Sequence, residues 1–202
     1  APVMTMTRRD DPIELRVSTV GRLLPDIEGK IVDPDLGIDL PPNTQGEIVT
    51  RSECVMKGYY KMPDATADTI DRYKWLHTGD LGEIDENGYF KVTGRIKDMI
   101  IRGGENIYPR ELEEFLFTHP KVVNVQVIGI PDKRYGEQVL AAIQLKTGQT
   151  ATPEEFIEFC QGKIARHKIP KYWEFVDSYP TTASGKIQKF KMKEIFEKKY
   201  HA

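Results

Sequence analysis

Cysteine is scarce in this sequence. Cys54 and Cys160 are the only two in 202 residues; they lie far apart, and both stand among apolar neighbours. A disulfide framework is therefore not expected, whereas two buried free thiols in a reducing compartment are. Long apolar runs are missing too. No stretch of about 18 apolar residues offers a transmembrane segment, and no charged-then-apolar leader marks a signal peptide. The cytoplasm is the expected setting, with an organelle left open because the natural start can lie upstream. Nor is there an excess of positive charge, since 29 Lys and Arg against 31 Asp and Glu leave a net charge of −2. Such a chain sets up no field to draw nucleic acid or an anionic membrane, and any basic site must be local. Histidine is limited to His77, His119, His167 and His201, with no metal-ligand spacing among them or with the cysteines, so no metal site is expected. A Gly-x-Ser-x-Gly elbow, a catalytic Cys and His pairing, internal repeats and low-complexity segments are all lacking.

What is present is an ordinary globular composition, 39% hydrophobic and 30% charged, at a length that suits one domain or two small ones. Residues 1–20 carry the charged cluster Arg8-Arg9-Asp10-Asp11 without periodicity and read as a loop with a truncated start. From Gly21 onward, short extended segments alternate with Pro and Gly, at Glu28–Val32, at Gly46–Thr50 and as an edge around Val55–Tyr60. Pro63-Asp64 opens a short helix, because proline and an acid both suit a first turn. Glu86-Asn87-Gly88 between the alternating segments Glu83–Asp85 and Tyr89–Val92 predicts a hairpin, since Asn and Gly both tolerate positive φ.

After Asp98 the texture changes to alternating helix and strand. Pro109 starts a helix with Leu112, Phe115 and Leu116 inward and Glu111, Glu113 and Glu114 outward, stopped by His119-Pro120. Val122–Ile130 and Val139–Leu145 are strand runs, with Pro131-Asp132 as the turn after the first. Thr152-Pro153-Glu154-Glu155 caps a helix whose buried stripe is Phe156, Ile157, Cys160 and Ile164. Tyr172–Val176 is a last strand, Pro180–Lys186 a loop and Phe190–Tyr200 a basic terminal helix. The fold class is α+β: a β-rich piece over residues 1–96 and a compact α+β piece over residues 97–202, with the boundary at 96–98.

Four stretches can carry chemistry, and each has a plain alternative. In Trp75-Leu76-His77-Thr78-Gly79-Asp80 a glycine between a hydroxyl and a carboxylate lets the backbone approach a ligand, and Asp80 suits a ribose diol; a turn with a local Asp-to-backbone bond has the same pattern. Arg95 follows a hairpin strand, where its planar fork can be aimed at a ribose or phosphate oxygen; taken alone it reads as a surface Arg. Gly103-Gly104 permits positive φ or close approach of a slender ligand, and paired glycines also mark ordinary turns. Thr181-Thr182-Ala183-Ser184-Gly185-Lys186 looks like a phosphate loop, yet Ile187 stands where a Ser or Thr is required and the upstream glycine is missing, so that motif is rejected. What remains is one Lys on a small loop, able to bring a point charge to an anion.

In their order, Gly46-Glu47-Ile48 through Gly58-Tyr59-Tyr60, Trp75 to Asp80, Gly94-Arg95-Ile96-Lys97-Asp98 with Gly103-Gly104-Glu105-Asn106-Ile107-Tyr108-Pro109, and Pro180 to Lys186 resemble the C-terminal part of the adenylate-forming superfamily. That superfamily comprises the AMP-forming acyl-CoA synthetases, peptide-synthetase adenylation domains and luciferases. The Gly-Gly-Glu-Asn-Ile-Tyr-Pro stretch and Lys168-Ile169-Pro170-Lys171 are most similar to fatty acyl-CoA synthetases, in particular the medium-chain type. The resemblance implies a two-step reaction, in which a carboxylic acid and ATP give acyl-AMP and pyrophosphate and the thiol of CoA then displaces AMP. It implies that Thr78, Asp80 and Arg95 hold the adenylate ribose and that Lys186 bridges the acyl carboxylate and the α-phosphate. Lys97 becomes the pivot of a mobile domain over 97–202 with its hinge at 96–98, and Gly103, Gly104 and Glu105 line the CoA channel. Lys163, Arg166 and Lys168 are the basic residues it offers to CoA phosphates.

The implied cofactors are ATP or AMP, CoA and Mg2+, the Mg2+ ligands lying outside this chain. The implied partners are a small carboxylic acid and the N-terminal portion of the same enzyme, a homo-oligomer being left open. On this reading residues 1–96 end the large adenylate-binding domain, the chain is a C-terminal fragment, and the fragment alone is inactive. Two alternatives stay open: another acyl- or aryl-adenylating enzyme, and a non-catalytic interaction domain that has kept the fold. Asp80, Arg95 and Lys186 together speak against the second, because docking needs none of them.

Overall fold

A computed structural model describes residues 3–200, so His201 lies outside it. The chain divides into two compact units, Ala1–Lys97 and Asp98–Ala202, and its architecture is the mixed α+β expected. No helix among the described residues is long and apolar enough to cross a membrane.

The first unit is built on an antiparallel sheet in the order β3 (Glu28–Val32), β4 (Gly46–Arg51), β5 (Leu76–Ile84), β6 (Phe90–Arg95). Its core is Ile31, Ile48 and Phe90, against which Met4, Leu23, Leu40 and Val92 pack. Residues 1–20, expected to be a loop, contain strand β1 (Thr5–Met6) and helix α1 (Ile13–Ser18), and β1 pairs with β2 (Arg22–Leu23). Both elements are shorter than two helical turns and α1 buries none of its residues, so neither leaves a periodic trace. Val55–Tyr60 is not a strand, because Gly58 takes φ +151 and Lys61 φ +56 there, and helix α2 follows at Pro63–Thr69.

The β5–β6 hairpin forms as predicted, but by a different device. Gly88 has φ +82 while Asn87 stays out of the left-handed region; Asp85 Oδ1 instead accepts the N–H groups of Asn87 and Tyr89 at 2.9 and 2.8 Å, an Asx turn. Cys54, expected to be buried, is exposed, and both thiols are free.

The second unit contains β7 (Ile100–Arg102), β8 (Glu105–Ile107), α3 (Pro109–Phe117), β9 (Val122–Asp132), β10 (Gly136–Leu145), α4 (Pro153–Cys160), β11 (Tyr172–Phe175) and α5 (Lys189–Tyr200). β10 is the central strand: it runs antiparallel to β9 along its length, lies parallel to β11 through Leu140–Ile143, and meets β7 at Gly136. Successive side chains of a strand point to opposite faces. Val139, Ala141 and Ile143 accordingly pack under Leu112 and Leu116 of α3 and Phe156 of α4, while Leu140 and Ala142 pack under Met192 and Phe196 of α5. Helices on both faces explain why β10 reads as a continuous apolar run rather than an alternating one. Each fully buried Leu, Ile or Phe contributes about 1.5–3 kcal/mol, which makes this sheet a stiff base for the loops at its margins. Pro131-Asp132 proves to be strand rather than turn, paired with Glu137 and Gly136, and Asp132 Oδ1 caps the turn that follows by accepting the N–H groups of Arg134 and Tyr135 at 3.0 Å each. Thr152 forms no side-chain cap on α4, and Ile164 lies beyond that helix yet still packs on the core.

Candidate functional site

Thr78, Gly79 and Asp80 lie inside β5, not in a loop. Val49 of β4 pairs with His77 and Glu47 with Leu81, so three residues of β5 stand opposite Ile48 alone. This is a β-bulge, a device that re-aims side chains at the cost of ladder bonds. Gly79 takes φ +70 at its centre, and a Cβ there would meet nothing within 4 Å, so it is the backbone conformation that asks for glycine, not the space.

Glu47 compensates for the broken ladder. Its Oε1 accepts the Gly79 N–H at 3.0 Å and its Oε2 lies 2.7 Å from His77 Nδ1, although the residue is only 5% exposed. Thr78 Oγ1 donates to the Ile48 carbonyl at 2.7 Å and accepts the Asp80 N–H at 3.1 Å. Across the hairpin Arg95 stands opposite Asp80 and donates from Nε to Asp80 Oδ1 at 2.8 Å, the two side chains being 56% and 34% exposed. Thr78 and Asp80 also line a pocket of about 250 Å³ walled by Ile48, Phe90 and Val92. The arrangement offers an oriented carboxylate for hydroxyl donors and, beside it, a guanidinium with further N–H groups for an anionic oxygen. Sequence reasoning missed Glu47; the signal was an acid at the head of the apolar strand Ile48-Val49.

The remaining candidates sit on separate turns. Lys97 is exposed in a 3-10 turn, Ile96–Asp98, where the two units divide. Gly103 and Gly104 are the two central residues of the β7–β8 hairpin, with Arg102 paired to Glu105 and φ values of +63 and +87. Positive φ at both positions is what the type I′ hairpin turn requires, so the turn alone accounts for both glycines. The Gly103 N–H also donates to the Tyr135 carbonyl at 2.7 Å, and Glu105 is exposed at the end of the turn.

Lys186 is exposed on a loop closed by the Thr181–Ile187 bridge. The Thr182 N–H donates to the Lys186 carbonyl at 2.8 Å and the Lys186 N–H to Thr182 Oγ1 at 3.1 Å. Its ammonium has no hydrogen-bond or ion-pair partner among the described residues. The three basic residues offered to CoA phosphates differ from one another. Lys168 donates to both carboxylate oxygens of Glu111 at 2.7 Å, and Lys163 lies over the Phe159 ring, 4.1 Å from its centroid. Arg166 is exposed in a second 3-10 turn, Arg166–Lys168, without such a partner among the described residues. The structure thus brings Thr78, Asp80 and Arg95 into one network within the first unit, and holds the glycine hairpin and the Lys186 loop on the second.

Two family models match the chain, that of the AMP-binding enzyme over residues 1–60 and that of the AMP-binding enzyme C-terminal domain over residues 111–186. Together these spans take in well over half of it. The chain belongs to the AMP-binding enzyme family. It is 56% identical over 194 residues to YngI of Bacillus subtilis, which carries the name of an acyl-CoA synthetase, the match taking in 96% of this chain and 35% of that protein. It is 49% identical over 198 residues to the human mitochondrial medium-chain acyl-CoA ligase ACSF2, taking in 98% of this chain and 32% of the ligase. Among solved structures, ATP-bound MatB from Rhodopseudomonas palustris matches with a TM-score of 0.92 and 36% identity, over 98% of this chain and 39% of that one. The o-succinylbenzoate CoA synthetase MenE of Bacillus subtilis, in complex with its acyl-adenylate intermediate, matches with a TM-score of 0.78 and 34% identity, over 88% and 36%. The chain therefore spans about a third of the length of the curated relatives it matches.

Proposed function

We propose that this chain is the C-terminal part of an ATP-dependent, AMP-forming fatty acid–CoA ligase, residues 1–96 closing its large domain and residues 97–202 forming a domain that turns about Lys97 between the two half-reactions. The observation that carries the proposal is the Asp80–Arg95 pair across β5–β6, beside a bulge that Glu47 supports at Gly79, in a chain of this family. In the first half-reaction the acid's carboxylate attacks the α-phosphate of ATP, the bond to pyrophosphate breaks, and acyl-AMP forms. Asp80 accepts a ribose hydroxyl on the oxygen that Arg95 leaves open, Thr78 lines the same side, and Arg95 presents its remaining N–H groups to the ribose or phosphate. Lys186 supplies a positive charge where negative charge builds on the reacting oxygens.

In the second half-reaction the CoA sulfur attacks the acyl carbonyl and AMP leaves; the Gly103-Gly104-Glu105 turn borders the pantetheine arm. Arg166 is the basic residue best placed to meet a CoA phosphate, since Lys168 and Lys163 are engaged with Glu111 and Phe159. ATP commonly arrives with Mg2+. Among the described residues no three His, Cys, Asp or Glu side chains converge on a point, so its ligands are assigned to the rest of the enzyme and no step here runs through it. The setting is a reducing compartment, cytosolic or, as for the mitochondrial relatives, organellar.

A second reading keeps the adenylation and changes the acceptor. The amide bond synthetase McbA of Marinactinospora thermotolerans matches with a TM-score of 0.82 and 37% identity, over 92% of this chain and 37% of that one. The identities of 56% to YngI and 49% to human ACSF2 support the thiol. The test is acid-dependent ATP–pyrophosphate exchange by the whole enzyme across a panel of carboxylic acids, followed by offering CoA or an amine to the product. Medium-chain fatty acids and CoA are the expected pair. Preference for aryl acids, or amide but no thioester product, would overturn the proposal, and thioester formation by the 202-residue chain alone would overturn its being an incomplete enzyme.

A further inference from the structure

The loop that carries Lys186 has no packing of its own at its tip. Ala183, Ser184 and Gly185 are exposed, Gly185 takes φ +82, and a Cβ on it would meet nothing within 4 Å. It is fastened at its two ends instead. Ahead of it, the Tyr179 hydroxyl lies 3.0 Å from the carbonyl oxygens of Asn124 in β9 and Ala142 in β10, and burial pushes this phenol far above its ordinary range, so it remains a neutral donor. Behind it, Lys189 opens α5 and donates from Nζ to Glu113 Oε1 at 2.6 Å and to the Val127 carbonyl at 3.2 Å. The same Glu113 oxygen accepts the Val127 N–H at 2.8 Å. Between the anchors, the Gln188 N–H donates to the Pro180 carbonyl at 2.8 Å, which ties the two arms of the loop together.

Two features show that this contact is more than a surface ion pair. Among the described residues β9 pairs only with β10, so the outward N–H and carbonyl of Val127 are edge groups without a neighbouring strand there, and Glu113 and Lys189 take its place, one acceptor and one donor. The pair is also largely removed from water, Lys189 being 22% and Glu113 19% exposed. A lysine in the first turn of a helix opposes the helix dipole, and α5 has no acid in that turn. Helix stability therefore does not explain Lys189, whereas a tether from the helix start to α3 and β9 does. Glu113, expected from its helical position to face away from the core, is turned onto β9 by this role.

We propose that Lys189 and Glu113 form a positioning clamp, with Tyr179 as the second anchor, that fixes where Lys186 delivers its charge and so serves the adenylate-forming step alone. This rests on the reading of Lys186 given above. A reacting group displaced by about 1 Å can lose on the order of a hundredfold in rate, and a loop with an unpacked tip depends on its anchors for that precision.

The test uses the whole enzyme with Lys189→Met, Lys189→Arg, Glu113→Gln and, as a control on the solvent side of α5, Lys198→Met. Three quantities are measured: acid-dependent ATP–pyrophosphate exchange, thioester formation from preformed acyl-AMP, and amide hydrogen exchange across residues 181–187. Lys189→Met and Glu113→Gln are expected to slow pyrophosphate exchange roughly ten- to a hundredfold, leave thioester formation unchanged and speed hydrogen exchange in the loop. Lys189→Arg should restore most of the loss, and Lys198→Met should match the parent. Equal loss of both half-reactions would overturn the clamp's step-specific role, and parental hydrogen exchange in the loop would overturn the clamp itself. If Lys186→Ala, run alongside, leaves pyrophosphate exchange intact, the reading of Lys186 fails, and the clamp is then decided by loop hydrogen exchange alone.

Discussion

Glu47→Ala is expected to destabilise the first unit well beyond the effect of an ordinary substitution, and the contrast with Glu47→Gln tests the reason. The alanine variant leaves the Gly79 N–H, which the bulge has already taken out of the sheet ladder, without its acceptor at 3.0 Å. An unpaired donor away from water costs about 1–3 kcal/mol. The contact to His77 Nδ1 at 2.7 Å involves a ring that is 34% exposed, so its loss adds at most about 1 kcal/mol. Removal of one buried methylene adds about 0.8 kcal/mol. The sum is about 2–5 kcal/mol for alanine and about 1 kcal/mol for glutamine, whose carbonyl can still accept from Gly79. Each unit holds one tryptophan, Trp75 in the first and Trp173 in the second, so a Trp173→Phe background lets Trp75 fluorescence report urea unfolding of the first unit. With a slope of about 2 kcal/mol/M, the middle of the usual range, the alanine variant should lower the midpoint by about 1–2.5 M. Equal losses for alanine and glutamine, or an alanine loss within about 0.5 kcal/mol of the parent, would refute Glu47 as the support of the bulge.

Gly104→Ala should cost the second unit about 1–2 kcal/mol from φ alone, because a Cβ there meets nothing, with Gly104→Asn costing less; Trp173-detected unfolding unchanged by alanine would rule out the turn requirement. Asp132 is held at about 2 against an ordinary 3.8, chiefly by the Tyr135 N–H and further by the Arg134 N–H and Lys171. Since the native carboxyl takes up its proton less readily than the unfolded one, it stabilises the unit above about pH 4 and that support fades as pH falls towards 2. Asp132→Asn should flatten the stability–pH slope in that window, and an unaltered slope would contradict the assignment. A thiol reagent at pH 8 should modify Cys54 alone in the native chain, because Cys160 is buried and its thiol is pushed up to about 11; two fast thiols would show that α4 is not packed as described.

Sequence was most informative where burial on both faces imposes a long apolar run, as in Val139–Leu145, or where a helix stripe is strict, as at Leu112 and Leu116. It was least informative for groups whose partners come from another strand. Asp80 and Arg95 were both singled out, yet only the hairpin register places them side by side. Glu47 was missed because its purpose appears only once the bulge has exposed the Gly79 N–H. Glu113 was assigned to the outside of α3 on spacing alone, while its acceptor role depends on β9 being an edge. Lys168 looked available for a phosphate, but both carboxylate oxygens of Glu111, far away in sequence, accept from its ammonium. The turn after Asp85 formed where Asn-Gly predicted it, through the aspartate that the dipeptide rule does not weigh. The type I′ geometry of the β7–β8 hairpin demands Gly103 and Gly104 locally, so a paired-glycine signal in sequence is answered by the turn itself.

The central claim is that one chain serves two half-reactions with different residues, and the direct measurement is to separate those half-reactions in the whole enzyme carrying Lys186→Ala or Lys97→Pro. Lys186→Ala is expected to abolish acid-dependent ATP–pyrophosphate exchange and to spare CoA thioester formation from preformed acyl-AMP. Lys97→Pro, which locks φ in the turn between the units, should do the reverse. Equal loss of both steps in both variants would contradict the account.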